Sequence, residues 1–473
     1  MYPQNDVDAL LRTHFADVSI DKRLSRQVGG SERAVPDYVS DWLVSRYTSD
    51  GVVDEQKVHA FLAHHLPDKR QKNALLYELN NGGTLKILDA YNVRVDVEAG
   101  RVVLEIPCLD ISKAAIVDGI VDDHPLLLMG NVWGSGTLVR RPREDNPDRG
   151  EICMIDFKPM QTSIVDLDYY IGCRAHFTTR QWKEMLVRTM GYNPDVYPPE
   201  EQALLVTRLC PLVQPRVNMV ELAQKGTGKS YVFSRLSRHA WLISGGIVTR
   251  AQLFYNMARR SAGVITRYDA VVFDEVQTIK LGDEEEIVGA LKGYLESGEF
   301  RVMQYRGTAD AGLVLLANIP LTASARPKDR DVFNTLPAWL RGQGAAALLD
   351  RFHALLPGWG IRKVSKESLC DGMALKADYF SEILHSLRRK GEYLSWVREH
   401  TRSSGNLRDI TAVERLAAAY LKLLFPDLTN VDVGAFREHC LEPSKELRRM
   451  IRRQMALVDE EYREQLAEIE VHV

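Results

Sequence analysis

The chain has 473 residues, of which 45% are hydrophobic and 26% are charged, and its formal net charge is −3. This length predicts about two to four domains, each able to bury a core of its own, and the composition is typical of globular protein. The net charge excludes an overall electrostatic attraction to nucleic acid, so any such binding has to come from local basic clusters.

The N-terminus has no basic-then-apolar signal pattern, and no uninterrupted apolar run approaches ~18 residues. The six cysteines are scattered, without a C-x-x-C pair or the cysteine–histidine spacing of zinc sites. We therefore expect a cytoplasmic protein with reduced thiols, no membrane partner and no structural zinc.

Residues 1–105 are predicted to form an α+β domain. Helical spacing and alternation of apolar residues indicate its helices and strands, at 38–47, 54–65, 68–79, 85–88, 93–97 and 102–106. The third helix begins with an aspartate cap and carries three cations, Lys69, Arg70 and Lys72. Helices followed by a hairpin resemble a winged helix, in which this basic helix would approach DNA. The alternative is a solvated helix face.

Residues 106–172 are predicted to form a small β-rich barrel or sandwich, because short strands alternate with turn signals. The strands are expected at 115–121, 126–129, 136–139, 151–156 and 163–167. One strand leads into an exposed hairpin tip that carries Arg140, Arg141 and Arg143. These arginines could contact DNA phosphates, or the tip could be a soluble turn.

Residues 173–365 are predicted to form an α/β domain. Its buried strand at 217–222 leads into a glycine loop and a helix. The loop residues are Gly226, Thr227, Gly228, Lys229 and Ser230. The loop N–H groups would surround phosphates, Lys229 would reach the β- and γ-phosphates of ATP, and Ser230 would bind Mg²⁺. A fortuitous glycine turn is the alternative.

One position departs from the Walker A pattern G-x-x-x-x-G-K-[ST], which expects glycine where this chain has Ala223. If that residue needs a positive φ, alanine costs on the order of 1 kcal/mol. Otherwise the departure costs little.

Two further buried strands end in polar side chains. The strand at 268–273 is followed by Asp274, which would hold Mg²⁺ through water, and Glu275, which would polarise the attacking water. The strand at 312–317 is followed by Asn318, whose amide could bind that water or the γ-phosphate, or could cap its own turn. Open α/β sheets bind ligands at this end of their strands.

A hairpin is predicted at 300–310, where alternating residues include the exposed cations Arg301 and Arg306. Hairpins in this position line the central pore in some ring ATPases, where the arginines would touch DNA. Further on, Arg351 follows a flexible glycine stretch and is placed to reach a neighbouring subunit's γ-phosphate. Its alternative is a surface ion pair with Asp350.

Residues 366–473 are predicted to form a helical lid and a terminal helix. Arg408 lies in the first turn of a long amphipathic helix and would point toward the nucleotide phosphates, in cis or in trans. The last segment, 443–473, is a charged amphipathic helix with four arginines, Arg448, Arg449, Arg452 and Arg453. It could dock on a partner, but a solvated helix is the favoured interpretation.

In this order the candidates resemble an AAA+ ATPase. The Leu-Asp-Arg-Phe around Arg351 is similar to the finger motif of the replicative MCM helicases, and Asn-Leu-Arg-Asp-Ile at Arg408 is similar to their sensor-2 helix. Longer phrases, ELAQKGTGKSYVFSRLS, VVFDEVQ, LKGYLESGEF and LLANI, resemble the BrxL family, the Lon-related AAA+ proteins of BREX phage-defence systems.

The resemblance implies an AAA+ P-loop core with a helical lid, preceded by the α+β and barrel regions. It implies a homo-oligomeric ring, a hexamer or stacked hexamers, that hydrolyses ATP with Mg²⁺, engages or translocates DNA and works with other BREX proteins. Glu275 and Asn318 would act with an arginine finger, Arg351, from the neighbour. The sequence lacks the C-terminal Lon-like region of longer members, so we expect no intrinsic protease activity.

Two alternatives belong to other classes. A protein unfoldase serving a separate protease would need an aromatic grip, and the acidic segment after Glu275 offers none. A nucleotide-gated DNA clamp would use slow hydrolysis only to switch its assembly state.

Overall fold

The computed structural model describes residues 6–29, 35–49, 52–96, 100–143, 149–160, 165–258, 260–341, 343–463 and 468–471. The chain divides into two compact units. The smaller comprises Ile20–Val165 and Lys376–Tyr379, and the larger comprises the rest. Each unit contains a hydrophobic cluster of its own.

The smaller unit contains a closed five-stranded barrel. Its strands, β1 to β5 in chain order, are Leu85–Asp96, Arg101–Ile106, Ile111–Ile116, Val132–Pro142 and Gly150–Pro159. They adjoin in the order β1-β2-β3-β5-β4, with β3 and β5 parallel. Tyr91 fills the interior, edge to face with Phe157 at 5.7 Å. Gly136 is required beside it, since a Cβ there would lie 2.6 Å from the Tyr91 hydroxyl.

The predicted barrel is confirmed, and the predicted hairpin is present as the antiparallel pair β1–β2, but it belongs to the barrel and not to a winged helix. β1 and β2 are barrel strands, and β1 pairs with the distant β4, a partner that alternation within a strand does not reveal. The predicted strand at 126–129 is the 3-10 helix Pro125–Met129, where proline presets the first φ. The predicted strand at 163–167 lies partly outside the described residues, and Leu167 begins a helix.

Helices and one short hairpin complete this unit. The helices are Lys22–Gly29, Asp37–Tyr47, Glu55–His65, Lys72–Asn80 and Ile120–Asp123, and the hairpin strands are Thr48–Ser49 and Val52–Val53. Asp41 joins the first two helices, because its carboxylate accepts from Lys22 at 2.8 Å and from Ser25 at 2.7 Å.

The larger unit is built on a five-stranded parallel sheet. Its strands, β6 to β10 in chain order, are Met219–Ala223, Ala240–Val248, Ala270–Leu281, Gly312–Asn318 and Ala354–Leu356. They adjoin in the order β7-β8-β9-β6-β10. Every residue of β6 is buried, as its apolar run predicts for a parallel strand covered on both faces. The order reverses beside β6, so a crevice at its carboxyl end is the expected ligand site.

Helices surround the sheet. Before and between the strands they are Asp6–His14, Leu167–Cys173, Thr179–Thr189, Pro199–Thr207, Cys210–Val213, Lys229–Tyr231, Arg250–Leu253, Glu284–Ser297 and Gln343–Leu349. After the strands they are Ala377–Arg388, Glu392–His400, Leu407–Leu424, Val433–Phe436 and Glu442–Val458. Within the described ranges, none of the helices is both long and apolar enough to cross a bilayer.

The prediction of a solvated terminal helix is wrong. Arg448 on Glu442–Val458 is only 1% exposed. Its guanidinium donates to Asp409 at 2.7 Å and to Asp350 at 2.6 Å, and Arg452 lies 3.4 Å from Asp409. The charge pattern of an amphipathic helix cannot show which of its cations meet buried carboxylates.

We expect Arg448→Ala to destabilise the larger unit by about 3–5 kcal/mol, because each of two buried carboxylates would lose its nearest cation. Arg449→Ala is the matched control: this neighbour is half-exposed, and its ion pair among the described residues is with Glu446 on the same helix, so about 1 kcal/mol or less is expected. Urea denaturation followed by circular dichroism measures both. Equal shifts of the two midpoints would contradict the buried network.

Candidate functional site

A glycine loop joins β6 to the helix Lys229–Tyr231, which continues as a π-helix. Gly226 and Gly228 have φ values of 85° and 74°, the left-handed conformation that favours glycine. Lys229 is buried and Ser230 is half-buried at the start of the helix. The loop thus places a helix N-terminus directly behind a strand end, an arrangement that binds anions.

Ala223 causes no backbone strain in this loop. It is the last residue of β6 and is not among the described residues with positive φ. Its methyl group is accommodated by Gly358, where a Cβ would lie 2.7 Å from that of Ala223. The departure from the glycine pattern is therefore compensated by a glycine elsewhere.

The Lys229 ammonium lies where β6 and β9 end. Its Nζ donates to Asn318 Oδ1 at 2.6 Å, and Asn318 is in register with Ala223 of β6. Burial lowers the pKa of Lys229, and the nearby carboxylates of Glu221 and Asp274 act in the opposite direction. Two predicted site residues from distant parts of the sequence are thus in direct contact.

β8 continues past its predicted end at Phe273 to Leu281, but its pairing with β9 stops at Phe273, so two carboxylates follow at the same edge of the sheet. Phe273 is opposite Leu315 of β9, and the next residues are the half-buried Asp274 and the exposed Glu275. Glu275 has a φ of 49°, and its N–H donates to Asp274 Oδ1 at 3.0 Å. This conformation costs a non-glycine residue on the order of 1 kcal/mol, and such outliers cluster at functional sites.

The two candidate arginines share one acceptor, Glu296. Arg351 Nε lies 2.7 Å from Glu296 Oε2. Arg408 donates to Glu296 Oε1 at 3.3 Å and to Asp350 Oδ2 at 2.9 Å. The ion partner of Arg351 is therefore Glu296 and not the predicted alternative, Asp350. In the part of the chain that the structure describes, both arginines make these bonds outside the glycine loop 226–230.

Three residues without a motif of their own contact the predicted site residues, namely Tyr192, Arg208 and Glu296. A fourth, Glu221, binds Arg208. Glu221 carries one sequence signal, since a carboxylate within the apolar run of β6 requires a buried cation. Glu296 carries none beyond its place in the last turn of a helix.

Comparison with known families agrees with this arrangement. Residues 152–468 match the family described as "Lon-like protease BrxL-like, ATPase domain", and residues 13–140 match "BREX system Lon protease-like protein BrxL N-terminal". The chain belongs to the BrxL family. The resemblance predicted from its sequence is thereby confirmed.

Two BrxL relatives show how much of such a protein this chain represents. It is 31% identical over 463 residues to the Lon-like protease BrxL of Escherichia coli O9:H4 (strain HS), covering 95% of this chain and 65% of the relative. It is 28% identical over 434 residues to the Lon-like protease BrxL of Bacillus cereus (strain H3081.97), and this match covers 89% of this chain and 63% of the relative. The chain thus spans slightly less than two thirds of both relatives.

The barrel arginines of this BrxL-family chain lie at the end of β4. Arg140 is exposed, and Arg141 Nε lies 3.6 Å from Glu151 Oε1. Arg143 follows the strand, and its N–H donates to Arg149 O at 2.8 Å. The predicted hairpin tip between them, residues 144–148, lies outside the described residues.

The predicted basic helix at 68–79 is wrong in its first turn. Lys69 and Arg70 lie in a 3-10 turn, and the α-helix begins at Lys72. Asp68 binds the Arg70 guanidinium at 2.6 Å, and Lys72 pairs with Asp110 at 3.0 Å. These carboxylates reduce the local excess of positive charge on which DNA binding would depend. The Lys69 side chain lies outside the described part of the chain.

The predicted hairpin at 300–310 is confirmed, with strands Glu299–Val302 and Tyr305–Thr308. Its exposed arginines, Arg301 and Arg306, are directly opposite each other. Like charges in opposite positions destabilise a strand pair, so an anion between them would stabilise the hairpin.

Proposed function

We propose that this BrxL-family chain is a ring-forming AAA+ ATPase that couples ATP hydrolysis to DNA engagement or translocation in a BREX-type defence system. The observation that carries the proposal is the hydrogen bond between Lys229 and Asn318, at the edge where the pairing of β8 with β9 stops just before Asp274 and Glu275. A cation, an amide and two carboxylates converge where a parallel sheet reverses its strand order, and this is where such sheets bind nucleotides.

The residues at this edge fit Mg²⁺-ATP. The left-handed glycines of the loop let backbone N–H groups approach phosphate oxygens, and Lys229 supplies a buried positive charge. Ser230 and Asp274 offer the hydroxyl and carboxylate oxygens that Mg²⁺ prefers. Glu275 is exposed and free to orient a water molecule for attack on the γ-phosphate. Mg²⁺, when bound, neutralises charge that develops on the phosphates.

The positions of the arginines support ring formation. Arg351 and Arg408 make their described bonds with Glu296 and Asp350 rather than with their own phosphate loop. An arginine that completes a neighbour's site needs a head-to-tail interface, and such interfaces close into rings. A hexamer or stacked hexamers is the proposed assembly.

DNA binding is supported by the barrel and by the hairpin. The strand order β1-β2-β3-β5-β4 is that of OB-type barrels, which bind oligonucleotides on strands 2 and 3 and on the loops after strands 1 and 4. A groove of 770 Å³ on β2 and β3 is lined by Arg101, Lys113 and Arg141, among others. Arg140 and Arg143 adjoin the loop after β4.

The relatives carry the name Lon-like protease. We propose that the residues of this chain supply the nucleotide-driven part of such a protein and no peptidase. The rate of ATP hydrolysis measured with and without DNA tests the proposal. A motor is expected to hydrolyse ATP faster with DNA, whereas a rate that DNA does not change would favour a clamp or an unfoldase. Absence of turnover under both conditions would refute the ATPase.

We expect the double variant Arg301→Ala/Arg306→Ala to weaken DNA binding and to reduce the slope of log K against log[salt] by about two, one unit per lost phosphate contact. Fluorescence anisotropy between about 50 and 200 mM salt measures the slope. Lys390→Ala/Arg437→Ala removes two exposed cations elsewhere and serves as the control. An unchanged slope in the hairpin variant would remove these arginines from the DNA-binding surface.

A further inference from the structure

A fully buried ion pair lies beneath the phosphate loop. Glu221 of β6 and Arg208 are both 0% exposed, and Arg208 donates to the two carboxylate oxygens at 2.6 and 3.1 Å. Removing both charges from water costs several kcal/mol per ion, which their attraction repays only with good geometry. A contribution to stability is therefore a weak explanation for such a pair. The other hydrogen bonds of the Arg208 guanidinium indicate a different role.

The remaining guanidinium nitrogen of Arg208, NH1, forms a hydrogen bond with the loop itself. NH1 donates to Thr227 O and to the Tyr192 hydroxyl, both at 3.2 Å. The Tyr192 hydroxyl in turn donates to Gly228 O at 3.1 Å. Two successive carbonyl groups of the phosphate loop are thus held from below, by side chains that are at most 2% exposed.

Because the peptide bond is planar, fixing these carbonyl groups also fixes the direction of the N–H groups on the other side of the loop. In a trans peptide the C=O and the N–H point in opposite directions. With Thr227 O and Gly228 O directed at Arg208 and Tyr192, the N–H groups of Gly228 and Lys229 are directed away from them. These are amides that a glycine loop before a helix offers to phosphate.

The contact between the Tyr192 hydroxyl and the loop requires a glycine at position 228. A Cβ at this residue would lie 2.3 Å from the Tyr192 hydroxyl, and its φ of 74° is already unfavourable for other residues. The Tyr192 hydroxyl therefore occupies space that only a glycine at position 228 leaves open.

We propose that Arg208 and Tyr192, oriented by Glu221, are positioning residues that hold the phosphate loop in its anion-binding conformation before nucleotide arrives. The inference rests on the proposed function, since it concerns the same ATP site. A loop that is already ordered loses less entropy on binding, so the support contributes to affinity without touching the nucleotide.

The first test is Tyr192→Phe, which removes a hydroxyl and keeps the ring. We expect the Kd for a fluorescent ATP analogue with Mg²⁺, and the KM for ATP, to rise about 5- to 10-fold, as for the loss of one or two hydrogen bonds, with kcat within about two-fold. Tyr197→Phe is the matched control: its ring packs against Tyr192 at 5.6 Å, and no described bond joins its hydroxyl to the loop.

The second test separates positioning from stability. The double variant Arg208→Met/Glu221→Met replaces both buried charges with apolar side chains, which is often neutral or stabilising. We expect an unchanged or raised Tm together with nucleotide binding at least about 10-fold weaker than in the wild type, a combination that a merely structural pair would not give.

If the wild type binds the analogue and both Tyr192→Phe and the double variant bind it with the same Kd, the inference is overturned, but the proposed function stands. Wild-type protein that binds no nucleotide would overturn the proposed function, and the inference with it. Weaker binding by both variants, with the control unchanged, is the expected result.

Discussion

Replacing Glu275 with glutamine should reduce ATP hydrolysis about 10²- to 10⁴-fold while leaving ATP binding intact. Glutamine keeps the shape of the side chain but cannot accept a proton from the attacking water. Glu275 is exposed, it comes two residues after the last pair between β8 and β9, and its carboxylate is near enough to oppose the lowering of the Lys229 pKa by burial. We therefore expect it to act beside the bonded Lys229 and Asn318.

The measurement compares steady-state phosphate release with the Kd of a fluorescent ATP analogue. Glu285→Gln, an exposed acid in the first turn of the next helix, controls for loss of one negative charge and should retain full turnover. A Glu275→Gln protein that hydrolyses ATP at the wild-type rate would remove this residue from the mechanism. Loss of binding in place of turnover would assign it to Mg²⁺ or phosphate contact.

The three strands that carry the site could be predicted because their signal is local. Continuous apolar runs identify buried parallel strands, and the polar residue that ends each run falls at the edge of the sheet. The runs therefore predict Lys229 and Asn318 at one edge, and the structure has them hydrogen-bonded to each other. The glycine loop has a similarly local signal in its glycines, and Ala223 is tolerated because it remains in the strand.

Partners distant in sequence could not be predicted, because a residue type does not specify what it meets. The alternation of β1 and β2 fits a two-stranded hairpin as well as a closed barrel. Arg351 could be assigned a role but not its acceptor Glu296, and Arg448 resembles any exposed helix arginine until Asp350 and Asp409 are placed beside it. Specific ion pairs depend on the packing of elements, which one sequence leaves open.

We expect Arg351→Ala to reduce ATP turnover about 10³- to 10⁵-fold, the range for an arginine finger supplied in trans. Within one chain the guanidinium is bound to Glu296, so a role in hydrolysis requires it to exchange this carboxylate for a neighbour's γ-phosphate. Arg398→Ala removes an arginine from a similar ion pair, with Glu414 at 2.8 Å, and should leave turnover within about two-fold because it lies in no proposed site.

Mixing subunits tests the direction of the contact. Arg351→Ala chains retain an intact phosphate loop, and Lys229→Ala chains retain an intact finger. Each is expected to be nearly inactive alone, but a mixed ring forms some sites that combine the wild-type loop of one chain with the wild-type Arg351 of the next. Recovered turnover on mixing would establish action in trans. Inactive mixtures, shown by sedimentation to contain both chains, would place Arg351 in its own subunit's site and remove the argument for a ring.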